Sequence, residues 1–254
     1  LLRLWLRHPE WLARPGILLG GAVLLRILFL LTQQDLSDDL FRYVWDGWIR
    51  THGILPYRFT PDDPALLTLR DPVLHPALNS PGWYSIYPPV SQLVFWLGGH
   101  AHALAGWPAS GWVVRVGFTL LELGGIAALL HLFRATGRSP APLVLLAWNP
   151  LALVAVAGSG HSEGGWILAA GLLLLGVGLR LPLLAWGGWV LAVLSKGVPL
   201  LLFPLVWRAL ARSAGPRSTG LHLALAGCGG LLLALPFLRP DDLPRVGASI
   251  QLYA

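Results

Sequence analysis

Asp38 and Asp39 stand side by side after Ser37, and Arg42, Tyr43 and Asp46 follow within eight residues. Paired carboxylates suit proton transfer: one removes a proton from a hydroxyl nucleophile while the other orients the acceptor or the base. Either acid can take the first role on this evidence. The spacing predicts a helix, with Ser37 as N-cap and the two acids in its first turn, where the helix dipole favours negative charge. Leu40, Phe41, Val44, Trp45 and Trp48 fall on one stripe, and Asp39, Arg42, Tyr43, Asp46 and Arg50 on the other. This reads as an interfacial amphipathic helix whose polar face is offered to a substrate. The plainer reading is an ordinary helix start with solvated charges.

Other chemistry-bearing residues lie far away along the chain. His161 and Glu163 follow the turn Gly158-Ser159-Gly160 at the end of an apolar run, a candidate proton or phosphate site. Lys196 is the chain's only lysine, set between apolar runs, and either snorkels to a surface or holds an anion. Tyr87 precedes Pro88-Pro89 at the entry to another apolar run. Arg26, Arg115 and Glu122 lie inside apolar runs, where such groups pair internally or line a pathway. There is no phosphate-binding loop, dinucleotide glycine motif or nucleophile elbow, and no spacing that suits a metal or another cofactor.

The elements that must position these residues are membrane-like. The chain has 254 residues, 55% hydrophobic and 12% charged, with a net charge of +6. A soluble domain carries about a quarter charged residues. Basic residues occur as singles at the ends of apolar runs, not in blocks, which argues for membrane topology and against nucleic acid. A single cysteine, Cys228, rules out an internal disulfide. Runs at 15–33, 88–106, 111–133, 141–157, 165–179, 181–195, 198–211 and 219–238 read as spans, some short or proline-broken. The expected architecture is an all-α polytopic bundle, 1–254, a fragment of a longer protein, with a large loop at 34–87 between the first two spans.

That loop holds seven of the twelve acidic residues. Arg3, Arg7 and Arg14 put the N-terminus in the cytoplasm and the loop outside. Arg134, Arg138, Arg180, Arg208, Arg212 and Arg217 all look cytoplasmic. The count then fails by one, because 88–106 and 111–133 both lie between an outside and an inside segment. One of the two is re-entrant or interfacial, or the Arg134/Arg138 pair misleads.

DDLFRYVWDGWIRTHGILPYRFTPDDPA, IYPPVSQLVF, WNPLALVAVAGSGHSE and LAVLSKGVPLLLFPL, in that order, resemble the GT-C membrane glycosyltransferases. The nearest likeness is to bacterial mannosyltransferase-like enzymes that use a polyprenyl-phosphate sugar donor, and it runs from about Ser37 to Ala254. The resemblance implies transfer of a hexose, mannose first, from that donor to a glycan or lipid acceptor, with inversion, at the outer face of the plasma membrane. It implies a catalytic carboxylate in the Asp38/Asp39 pair, with precedent leaning to Asp38. Arg42, Tyr43, Asp46, Tyr87, His161, Glu163 and Lys196 are the expected substrate-binding residues, and Arg42, His161 and Lys196 the candidates for the lipid phosphate. Glu163 stands where the family usually has Asp, and Val198 where an aromatic is common. The competing reading is a transporter or lipid-sugar flippase, supported by Arg26, Arg115, Glu122 and Lys196 within broken spans.

Overall fold

The computed structural model describes Trp11, residues 14–32 and residues 37–253, the side chains of the last two aside. Arg3, Arg7 and Asp35, which enter the readings above, lie outside the described residues. Every regular element among those described is helical. The main helices are α1 (Pro15–Leu30), α2 (Asp39–Thr51), α3 (Pro89–Ala105) and α4 (Ala109–Ala135). They are followed by α5, the broken helix Ala141–Gly158, then α6 (Glu163–Gly178) and α7 (Pro182–Ser195). The last three are α8 (Phe203–Ala214), α9 (Pro216–Ala234) and α10 (Leu243–Tyr253). Proline opens α1, α3, α7 and α9, where its missing N–H costs nothing and its fixed φ suits the first turn.

Two of these, α4 and α5, are long and apolar enough to cross a membrane; α1, α6 and α7 are shorter apolar helices. Large apolar side chains point outward from the bundle, among them Leu24, Leu28, Leu120, Leu201, Leu221 and Leu232.

Helix α4 is the ruler along which the others can be placed. Its first half meets α3 in antiparallel register, with Ser110 beside His102, Val114 beside Gly98 and Gly117 beside Val94. From Arg115 onward it meets α1, also antiparallel: Arg115 reaches the carbonyls of Phe29 and Thr32, and Glu122 pairs with Arg26. Helix α6 runs parallel to it, Gly164 beside Phe118 and Gly178 beside Leu132. Helix α7 returns, with Ala185 beside Gly176 and Ser195 beside Gly165. Helix α8 comes down against α7, Phe203 on Trp189 and Trp207 on Trp186, and α9 goes back up to bring Gly230 beside Val190.

Helix α3 lies along the loop-side half of α4 and begins with Val90 beside Gly165, at the first turn of α6. Both its ends stay toward the 34–87 loop. The run 88–106 is therefore the one that does not change ends, and the other apolar segments alternate. Asp39, His161, Glu163 and Lys196 come to one end of the bundle, and Arg134, Arg138, Arg180, Arg212 and Arg217 to the other.

The loop is an ordered cap. It contains α2 and two short 3-10 helices, Pro64–Leu69 and His75–Ala77, packed with α3 and α4 around Tyr43, Trp45, Ile49, Leu66, Leu74, Phe95 and Phe118. Helix α2 departs from the expected interfacial helix. It starts at Asp39 with Asp38 in the N-cap position, although Ser37 Oγ still accepts from the Asp39 N–H at 3.3 Å. Both its faces are enclosed: Leu40, Val44, Trp45 and Ile49 are buried, and so are Arg42 and Asp46. The polar face is covered by the loop's own carbonyls and hydroxyls, which an amphipathic pattern alone does not distinguish from solvent.

Candidate functional site

Three chain segments converge at the loop end. The first is the start of α2. The Asn79 side-chain amide donates to Asp38 Oδ1 at 2.9 Å and to Asp39 Oδ1 at 2.8 Å, so one residue holds both carboxylates. Asn79 is itself oriented by Ser80, whose hydroxyl donates to Asn79 Oδ1 at 2.9 Å. Asp38 is exposed and Asp39 partly buried.

The second segment is the turn after α5. Residues Leu153–Gly158 close as a π-helix, and His161 follows at once. Gly160 has φ +74°, and a Cβ there would meet Leu40 and the Arg115 side chain at about 3 Å. Only glycine combines that backbone with that approach, and the result delivers His161 to α2. His161 Nδ1 lies 3.8 Å from Asp39 Oδ2. Arg115 locks the same corner, donating to Ala157 O at 2.9 Å, Phe29 O at 2.6 Å and Thr32 O at 3.1 Å.

The third segment is the end of α7. Lys196 leaves the helix in an extended conformation and its Nζ reaches Glu163 Oε1 at 2.5 Å. Both side chains are roughly two-fifths exposed, at 46% and 39%. Glu163 Oε2 is buried and accepts no hydrogen bond. These segments thus bring three carboxylates, one ammonium and one imidazole to one end of the bundle.

Tyr43 lies beneath this cluster. Its ring stacks on Phe95 at 4.4 Å and meets Tyr87 edge-on at 4.9 Å. Burial pushes the phenol's pKa well up, and the neighbouring Tyr87, Asp39 and Glu163 push it further, so it stays a neutral hydroxyl. The Tyr87 carbonyl accepts from Tyr57 Oη and holds the loop end in place.

Arg42 and Asp46, expected to touch substrate, are placed elsewhere. Arg42 Nε donates to Asp46 Oδ1 at 2.9 Å, and its other nitrogens donate to Ser80 O and Trp83 O, each at 3.0 Å. Asp46 Oδ2 accepts from Ser85 Oγ at 2.5 Å and Gln92 Nε2 at 3.1 Å. Both side chains are buried and their bonds run to Ser80, Trp83, Ser85 and Gln92, so this pair fastens the loop over α2. Through Ser80 it also fixes Asn79, two bonds from the acids. Lys196 and His161 remain near the cluster as possible partners for an anion; Arg42 does not face it.

Arg26 and Glu122 form a bidentate pair, with Nε to Oε2 at 2.9 Å and Nη2 to Oε1 at 2.6 Å, and Arg26 also donates to Ala147 O at 2.7 Å. With Arg115 they tie α1, α4 and α5 together. Among the described residues no three His, Cys, Asp or Glu side chains gather as a metal would need.

Asn79, Ser80, Ser85 and Gln92 are the members that sequence reasoning missed. Asn79 sits in a Pro-rich loop as an ordinary turn residue, and nothing local links it to acids forty positions earlier. No family model, no curated protein and no solved structure matches the chain.

Proposed function

We propose that the chain is an integral membrane glycosyltransferase that moves a hexose, mannose by its motifs, from a polyprenyl-phosphate donor to a hydroxyl of a glycan or lipid acceptor. The observation that carries this reading is the convergence of Asp38/Asp39, His161 and the Glu163–Lys196 pair from three distant segments at one end of the bundle. The arginine-bearing turns gather at the other end. By the positive-inside tendency that end is cytoplasmic and the site extracytoplasmic.

The chemistry needs a base for the acceptor hydroxyl and a cation for the leaving phosphate. Asp38, the more exposed acid, takes the hydroxyl proton. The acceptor oxygen then bonds to the anomeric carbon as the carbon–oxygen bond to phosphate breaks, and that electron pair leaves on the lipid phosphate. Attack opposite the phosphate inverts the centre. Asp39, held by Asn79 and near His161, orients the acceptor. Lys196 swings from Glu163 to the phosphate, an exchange between two anions that a half-exposed ion pair allows at little cost.

The test uses the protein in membranes with a radiolabelled polyprenyl-phosphate sugar. Loss of a positioned base lowers turnover by about 10²–10⁴-fold, so Asp38→Asn should nearly abolish product with donor binding retained. Unchanged transfer in Asp38→Asn and in Asp39→Asn would refute the assignment.

A further inference from the structure

One apolar cavity lies away from the acids. It has a volume of about 550 Å³ and lies between α6, α7 and α9, lined by Leu172, Leu184, Gly187, Leu191 and His222 among others. Its polar group, His222, is tied to its own helix: Nδ1 donates to Ser218 O at 2.6 Å. A second apolar cavity of about 140 Å³, lined by Val190, Leu194, Gly227 and Gly230, lies on another face of α7, against α9. Along α7 the first cavity runs from Leu183 to Leu191, about 12 Å at ~1.5 Å per residue. That is most of the depth of one leaflet, half of a ~30 Å hydrocarbon core.

The lining residues Leu181 and Pro182 follow directly on Arg180. Arg180 closes α6 with φ +58°, a left-handed backbone that glycine ordinarily supplies. The Leu181 N–H then bonds Gly176 O at 2.8 Å, as such a closure requires. An arginine held at a glycine position implies a use for its side chain. Arg217 begins α9 a little over a turn before His222. From residue 123 to residue 240 the chain has a single acid, Glu163, at the opposite end, so among the described residues these arginines face no carboxylate in this half.

We propose that this groove binds an anionic phospholipid of the leaflet at the basic end, with an acyl chain along α7 and its phosphate on Arg180, supported by Arg217. Charge complementarity and chain length select this occupant over a zwitterionic lipid or a soluble anion. The inference requires only that the bundle sit in a membrane and is independent of the transfer chemistry.

Detergent-purified protein would be titrated with phosphatidylglycerol, phosphatidylcholine or glycerol phosphate, reading lipid occupancy by native mass spectrometry and the melting temperature. Phosphatidylglycerol should bind about tenfold tighter than phosphatidylcholine, and glycerol phosphate should cause no shift. Arg180→Gly should weaken phosphatidylglycerol about fivefold, while the lipid-free melting temperature stays or rises as backbone strain is relieved. Gly187→Leu should abolish the lipid shift, because a Cβ there meets nothing within 4 Å and the side chain fills the groove. Equal binding of the two lipids, a full shift from glycerol phosphate alone, or parent-like phosphatidylglycerol binding by Arg180→Gly would overturn the proposal.

Discussion

Asp46→Ala tests whether the Arg42–Asp46 pair positions the loop or touches substrate. The substitution leaves a guanidinium at 3% exposure without its anion, and strands the Ser85 hydroxyl and one Gln92 donor. Removing one partner of a buried ion pair costs about 3–5 kcal/mol, or roughly two to four powers of ten in an opening equilibrium. The cost falls on the contacts that the pair supports, the Ser80 and Trp83 carbonyls, and not on the apolar side of α2. Hydrogen exchange of residues 78–86 should therefore accelerate by about 10²–10⁴-fold, with α4 and α6 little changed. The double variant Arg42→Met with Asp46→Leu removes both charges and fills the volume, so it should protect the loop far better than the single variant does. The proposed transfer activity should follow the same order, because Asn79 is carried by the loop. Parent-like exchange in Asp46→Ala would show that the pair does not hold the loop. A double variant with an ordered loop and no transfer would return Arg42 to the substrate.

Two further outcomes rest on packing and on titration. A Cβ on Gly47 would fall 1.8 Å from Phe95 O, and one on Gly99 would fall 2.2 Å from the Gly47 backbone. Gly47→Ala should cost about 3 kcal/mol or more as α2 and α3 are forced apart, whereas Gly20→Ala, with nothing within 4 Å, should change the melting temperature little. Partial burial pushes the Asp71 carboxyl up, but the Leu74 and Val73 N–H groups and His102 outweigh it and hold the carboxyl below its ordinary range. A depressed folded-state value stabilises above the unfolded-state value and is lost as pH falls through the folded one. Acid should therefore loosen the contact between the loop and α3, read by exchange at 71–75, and Asp71→Asn should make that region less dependent on pH between about 5 and 3.

The apolar runs were legible because helix periodicity and length need no partner to be seen. The runs 15–33 and 88–106 correspond to helices that open at Pro15 and Pro89, whereas Pro182, expected as a kink site, and Pro216 open helices instead. The residues with chemistry were also legible one by one: a lone lysine, a His and Glu after a glycine turn and an acid pair stand out in an oily chain. The environment of each was not. Asp39 and Arg42 share the polar stripe of α2, yet one opens to the cluster and the other is sealed under Ser80 and Trp83. An amphipathic pattern states which side is polar and cannot say whether water or folded backbone lies against it. The place of the run 88–106 had the same origin, since α3 is held at the loop end by its register on α4 and by backbone contact between Gly47 and Gly99. By itself the amino-acid sequence determined the all-helical class and the inventory of reactive groups, which are local properties of composition and spacing. Only the tertiary structure decided that Asn79 ties Asp38 to Asp39 and that Lys196 reaches Glu163. Such contacts span tens of residues and exist only once the helices have chosen their partners.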